Sequence, residues 1–115
     1  MDKYDFPPLH PGEVLLEEFL KPMGLSQHQL VLSMRVAPQK INEIVHGRRG
    51  ITAETALRLA AVLGTSPDFW MGLQNDFDLE AARDALGSRS KPEIVPIVHA
   101  IAEKPADYYA DTSEE

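Results

Sequence analysis

The stretch Gln27-His28-Gln29-Leu30-Val31-Leu32-Ser33-Met34-Arg35-Val36-Ala37-Pro38-Gln39-Lys40-Ile41-Asn42-Glu43-Ile44-Val45-His46-Gly47 holds two short apolar periodicities separated by a tight link. Ser26 precedes it as an N-cap, and Leu30 and Met34 stand four apart, so the first half predicts a helix from Gln27 to about Met34. Arg35-Val36-Ala37 is the link. Pro38 follows, a residue favoured in the first turn of a helix because its missing N–H would be unpaired there anyway. The second helix is expected from Pro38 to Val45, with Ile41, Ile44 and Val45 inward, Gln39, Lys40, Asn42 and Glu43 outward, and Gly47 as a left-handed cap. Leu30, Val36, Ile41 and Ile44 are spaced to pack two such helices across one another.

On the N-terminal side, Pro7-Pro8 and His10-Pro11-Gly12 mark an extended arm and a helix start. Val14, Leu15, Glu17, Glu18, Phe19 and Leu20 then form one amphipathic pattern that ends near Pro22 and Gly24. On the C-terminal side, Thr52 caps a helix with apolar positions Ala56, Leu57, Leu59, Ala60 and Leu63, closed by Gly64. Ser66-Pro67 opens another, which offers Phe69, Trp70, Leu73, Phe77, Leu79 and Leu86 for burial. The expectation is an all-α domain of five helices over residues 1–87, with an N-terminal arm at 1–11 and a tail at 88–115. In the tail, Ile94-Val95-Pro96-Ile97-Val98 is a β-branched run, readable as an edge strand or as an arm that folds against a partner.

A hydrophobic share of 43% is enough for a core, and the absence of cysteine removes disulfides, thiolate metal sites and thiol nucleophiles. The first residues lack the charged and apolar runs of a signal peptide, and no apolar stretch approaches the roughly 20 residues of a membrane span, so the expected location is the cytoplasm. The formal charge of −7 argues at first against nucleic acid, but it is unevenly distributed. Residues 26–58 carry Arg35, Lys40, Arg48, Arg49 and Arg58 against Glu43 and Glu54, a local +3, while both flanks are acidic. A cationic centre can meet phosphate while acidic flanks meet a basic protein.

The outward residues of the second helix have the chemistry that base edges ask for. Glutamine or asparagine can bond adenine through two bonds, and lysine can donate to guanine acceptors, which points to Gln39, Lys40 and Asn42. Gln27 can hold a phosphate at the start of the preceding helix, and Arg48-Arg49 are placed as sequence-independent phosphate clamps. One such helix reads only a few base pairs, so a homodimer is expected. Phe69, Trp70, Leu73 and Phe77 read as core or as a dimer seam. No enzyme is expected. His10, His28, His46 and His99 have no metal-ligand spacing, the paired carboxylates lie on solvent faces, and there is no glycine-rich phosphate loop or nucleophile elbow. No cofactor or metal is expected either.

The blocks His10-Pro11-Gly12-Glu13-Val14-Leu15, Gly24-Leu25-Ser26-Gln27, Ile41-Asn42-Glu43-Ile44 with Gly47-Arg48-Arg49, Ile51 to Ala60, and Ser66-Pro67-Asp68-Phe69-Trp70 occur in an order that resembles the HigA (VapI-like) antitoxins among the Xre/Cro-type helix-turn-helix repressors. The resemblance runs from His10 to about Leu86. It implies a Cro/lambda-repressor-like domain that dimerises, represses its own operon at double-stranded operator DNA, and belongs to a type II toxin–antitoxin module. The implied partner is a HigB/RelE-like RNase toxin, neutralised by steric masking. By position, the resemblance assigns base contacts to Ala37, Pro38, Gln39, Lys40 and Glu43, and phosphate contacts to Gln27, Asn42, Arg48 and Arg49. Two positions depart from the pattern: Arg35 stands where glycine is frequent, and Val31 where a smaller residue is usual. Candidate toxin contacts are the acidic face Glu13, Glu17 and Glu18 or the stretch Ile94 to Ile101. A free-standing repressor without a toxin, and an interaction module that no longer binds DNA, are the alternatives.

Overall fold

The computed structural model describes residues 9–87 and 94–98. Phe6 and the rest of the arm before Leu9, His99, and the tail other than 94–98 lie outside the described residues. The chain divides into two units, residues 1–84 and 85–115, and the packing below belongs to the first. In the second, residues 94–98 form no strand, and Ile97 is 91% exposed.

Helix α1 is a continuous run of three segments, Pro11–Val14, Leu15–Leu20 and Lys21–Met23, the middle one π-helical. Its start is locked by His10, whose Nδ1 accepts the Gly12 N–H at 2.9 Å, with Pro11 at the first position. The wide middle turn has a local cause in Pro22, whose ring would collide with the carbonyl four residues back in a regular α-turn. Lys21 instead donates to the Leu16 carbonyl, five residues back. Gly24, at φ 65, turns the chain away.

Helix α2 spans Gln27–Met34 and α3 spans Pro38–Val45, as the apolar spacing predicts. A reciprocal cap starts α2: Ser26 Oγ accepts the Gln29 N–H at 3.1 Å, and the Ser26 N–H donates to Gln29 Oε1 at 2.8 Å. Gly47 adopts φ 74 after α3. Thr52 Oγ1 caps α4, Ala53–Leu63, and Ser66 Oγ caps α5, Pro67–Gly87, through the Phe69 N–H at 3.1 Å. The described residues are thus an array of five helices.

The core is built from Leu15 and Leu20 of α1, Leu30, Val31 and Met34 of α2, Ile41 and Ile44 of α3, Ala56 and Leu59 of α4, and Trp70 of α5. Trp70 is fully buried, and its indole N–H donates to Thr65 Oγ1 at 2.7 Å, so its one polar atom carries no burial penalty. Phe19 and Phe69 pack on it at centroid separations of 5.2 and 5.0 Å. Leu57 departs from the expected apolar face and is exposed. With ~100° per residue, it lies about 110° from the stripe of Ala56, Leu59, Ala60 and Leu63. Leu79 is likewise 43% exposed.

Candidate nucleic-acid interface

Two close approaches set the position of α3. A Cβ built on Gly12 would lie 1.7 Å from the Ile44 carbonyl oxygen, so α1 meets α3 backbone to backbone at a point only glycine can occupy. On the other side, Gln74 of α5 is buried beside the loop after α3. Its Oε1 accepts the Ile51 N–H at 2.7 Å and its Nε2 donates to Asp78 Oδ1 at 2.9 Å. A Cβ on Gly50 would come within 3.0 Å of this amide. The turn that carries Arg48 and Arg49 is therefore tied to α5 by one side chain.

With α3 fixed by its buried Ile41 and Ile44, Gln39 and Asn42 are exposed and Lys40 and Glu43 half-buried. Glu43 organises this face. Its two oxygens accept hydrogen bonds from Gln39 Nε2 and Arg49 Nε, each at 2.8 Å. The bonds from Arg49 and Gln39 hold its carboxyl below the usual carboxylate range, against a smaller opposing effect of burial. Gln39 keeps its carbonyl oxygen clear of this network, available as an acceptor. Asn42 Nδ2 lies 3.5 Å from Gln27 Oε1, which brings together two residues that are 15 apart in the chain. Ala37, the N-cap of α3, has no side-chain oxygen, so the first-turn N–H groups of α3 have no side-chain cap.

An open groove of about 350 Å³ runs along this face, lined by Arg35, Val36, Ala37, Gln39, Lys40, Arg49, Glu54 and Arg58. The structure thus gathers Gln27, Ala37, Gln39, Lys40, Asn42, Glu43 and Arg49 around α3, with Arg48 exposed in the adjoining turn. Glu13, Glu17 and Glu18 are exposed on α1, where Glu17 pairs with Lys21 at 2.9 Å. Of the four residues offered for core or seam, Trp70 is core, Leu73 and Phe77 are half-buried, and Phe69 is 40% exposed. Phe77 meets the His10 ring edge-on at 4.9 Å.

Sequence spacing misses two residues that position the face. Gln74 lies 23 residues from its backbone partner, with no pattern linking them. Arg58 looks like a surface cation on α4, yet its Nη1 donates to the Met34 carbonyl at 2.8 Å and closes the C-terminus of α2. The only signal for it in the sequence is that Arg58 is the one basic residue on α4. Among the described residues, no three His, Cys, Asp or Glu side chains could hold a metal ion, and no helix is long and apolar enough to cross a membrane.

Known proteins share this arrangement. Residues 16–70 match the helix-turn-helix family model. Virulence-associated protein I of Dichelobacter nodosus is 51% identical over 80 residues, 70% of this chain and 74% of that protein. Antitoxin HigA-1 of Vibrio cholerae is 36% identical over 84 residues, 73% of this chain and 79% of that protein. Among solved structures, the Pseudomonas aeruginosa antitoxin HigA, determined with the higBA promoter, superposes with a TM-score of 0.75 at 40% identity, over 79% of this chain and 99% of that one. The chain belongs to the Xre-type helix-turn-helix family of HigA antitoxins and virulence-associated protein I, a family of DNA-binding regulators rather than enzymes.

Proposed function

We propose that this chain is the antitoxin of a type II toxin–antitoxin module and represses its own operon in the cytoplasm by binding operator DNA as a homodimer. The observation that supports it most is the outer face of α3, where Gln39, Lys40 and Arg49 line one open groove, Glu43 bonds both Gln39 and Arg49, and Arg48 is exposed in the adjoining turn. Ala37, Pro38, Gln39, Lys40 and Glu43 are the proposed base contacts. Gln39 offers an amide held in one orientation by Glu43, and Ala37 and Pro38 are small enough to let the start of α3 approach the major groove. Gln27, Asn42, Arg48 and Arg49 are the proposed phosphate contacts. The HigA of Pseudomonas aeruginosa, solved with a promoter, adds support by similarity.

Residues 1–87 form the proposed DNA-binding domain and 88–115 a separate tail. Phe69, Leu73 and Phe77 are the proposed seam between protomers, with Trp70 held in the core behind them. Glu13, Glu17 and Glu18 present the acidic face proposed to meet a basic HigB/RelE-like toxin, whose active surface the antitoxin covers.

Hydroxyl-radical footprinting of the chain on its own upstream DNA tests the repressor role. Two protected half-sites, about one helical turn apart, are expected. Uniform protection at every concentration would overturn it. Co-expression with the neighbouring reading frame tests the antitoxin role: the expected result is growth arrest by the neighbour alone, relieved by this chain.

A further inference from the structure

Arg35 is the only non-glycine residue with positive φ among the described residues, at φ 59. A left-handed backbone crowds Cβ against the following carbonyl, a strain that glycine avoids and asparagine tolerates. Folding makes no evident demand for arginine here. The backbone N–H donates to the Val31 carbonyl at 2.9 Å, a bond that nearly any residue supplies. The Arg35 guanidinium has no hydrogen-bonding or ionic partner among the described residues, whereas Arg49 and Arg58 both face carboxylates. Arg35 is also exposed, and it lines the same groove as Gln39, Lys40 and Arg49. Arg58, the other arginine of the groove, is committed to the Met34 carbonyl and to Glu54. Strain kept at an exposed, unpaired position that borders a binding face points to a function outside folding.

We infer that Arg35 is a further DNA contact, its guanidinium gripping a backbone phosphate beside the bases that α3 reads. This inference rests on the operator-binding reading. The planar fork of arginine matches two phosphate oxygens, and its charge adds to that of Lys40 along the groove. Because phosphate carries no sequence information, the grip contributes to operator and random DNA alike.

The test compares wild type, Arg35→Gly and Arg35→Asn, each as the full chain. It measures fluorescence anisotropy on a duplex of the upstream DNA and on a scrambled duplex over a salt series, alongside thermal melts. Both variants are expected to bind both duplexes roughly 3- to 10-fold more weakly at low salt. Their log K against log salt should be less steep by about 0.9 for each phosphate that is no longer neutralised. Arg35→Gly should melt at the wild-type temperature or a few degrees above it, which separates a missing phosphate grip from a damaged fold. Unchanged affinity and slope would overturn the inference. So would a weakening confined to the upstream duplex, since that is the mark of base recognition. If wild type shows no preference for the upstream duplex, the operator reading fails, while the slopes on scrambled DNA still decide for or against Arg35. Binding to neither duplex overturns both.

Discussion

At the scale of single residues, the decisive feature is how little space separates α1 from α3. Gly12 has no tolerance, because its missing Cβ would sit 1.7 Å from the Ile44 carbonyl oxygen. Gly12→Ala is expected to cost at least about 2 kcal/mol through backbone displacement at α3, read as a lower urea midpoint. A change under about 0.5 kcal/mol would show that the two helices are free to separate. His10 holds the same junction chemically. Its Nδ1 accepts the Gly12 N–H, a role open only to the neutral ring, and burial pushes the imidazole below its ordinary value against the raising pull of Glu13 and Asp78. With the folded-state value lowered, the stabilisation is fully present above the ordinary histidine range. It is lost as pH falls through that range toward the folded-state value. Stability should therefore decline as pH drops below about 6.5. His10→Asn, which retains a capping oxygen but does not titrate, should flatten that decline. An unchanged slope in this variant would assign the pH dependence elsewhere.

At the scale of elements, helix boundaries are legible in the sequence wherever a backbone-specific residue announces them. Ser26, Pro38, Thr52 and Ser66-Pro67 open helices, and Gly24, Gly47 and Gly64 all adopt the left-handed turn that their positions after apolar runs imply. The outward residues of α3 are legible for the same reason, since Ile41 and Ile44 fix its rotation. The π-helical turn of α1 is not, because a proline in an apolar pattern reads first as a stop. Leu57 misleads because an apolar residue about 110° off the stripe still looks amphipathic. Gln74 is invisible, since nothing local distinguishes a buried amide that serves a loop 23 residues away from a surface glutamine. Gln74→Leu keeps most of its volume but strands the Ile51 N–H. It should cost about 1–3 kcal/mol in a urea melt and weaken DNA binding by loosening the Arg48-Arg49 turn. A variant that loses stability yet binds DNA as wild type does would separate the loop from the interface.

At the scale of the whole molecule, a chain of net charge −7 is proposed to approach a polyanion. The physical resolution is local. Cations at Arg35, Lys40, Arg48, Arg49 and Arg58 cluster at α3 and its neighbours, while the acidic excess lies in the flanking segments. Net charge therefore does not by itself forbid association, because the field a polyanion meets at close range is set by the charges nearest the binding face. Within the cationic cluster, Glu43 holds Arg49 and Gln39 in the free protein, so those two side chains are ordered before DNA arrives. The central claim is that α3 reads sequence, and the most direct measurement is affinity for the chain's own upstream DNA over a salt series, for wild type and Gln39→Ala/Lys40→Ala. An operator-reading face predicts tight, salt-sensitive binding by wild type that the double substitution relaxes to the level of random DNA. Wild-type binding no tighter than to random DNA, unchanged by the substitutions, would contradict it.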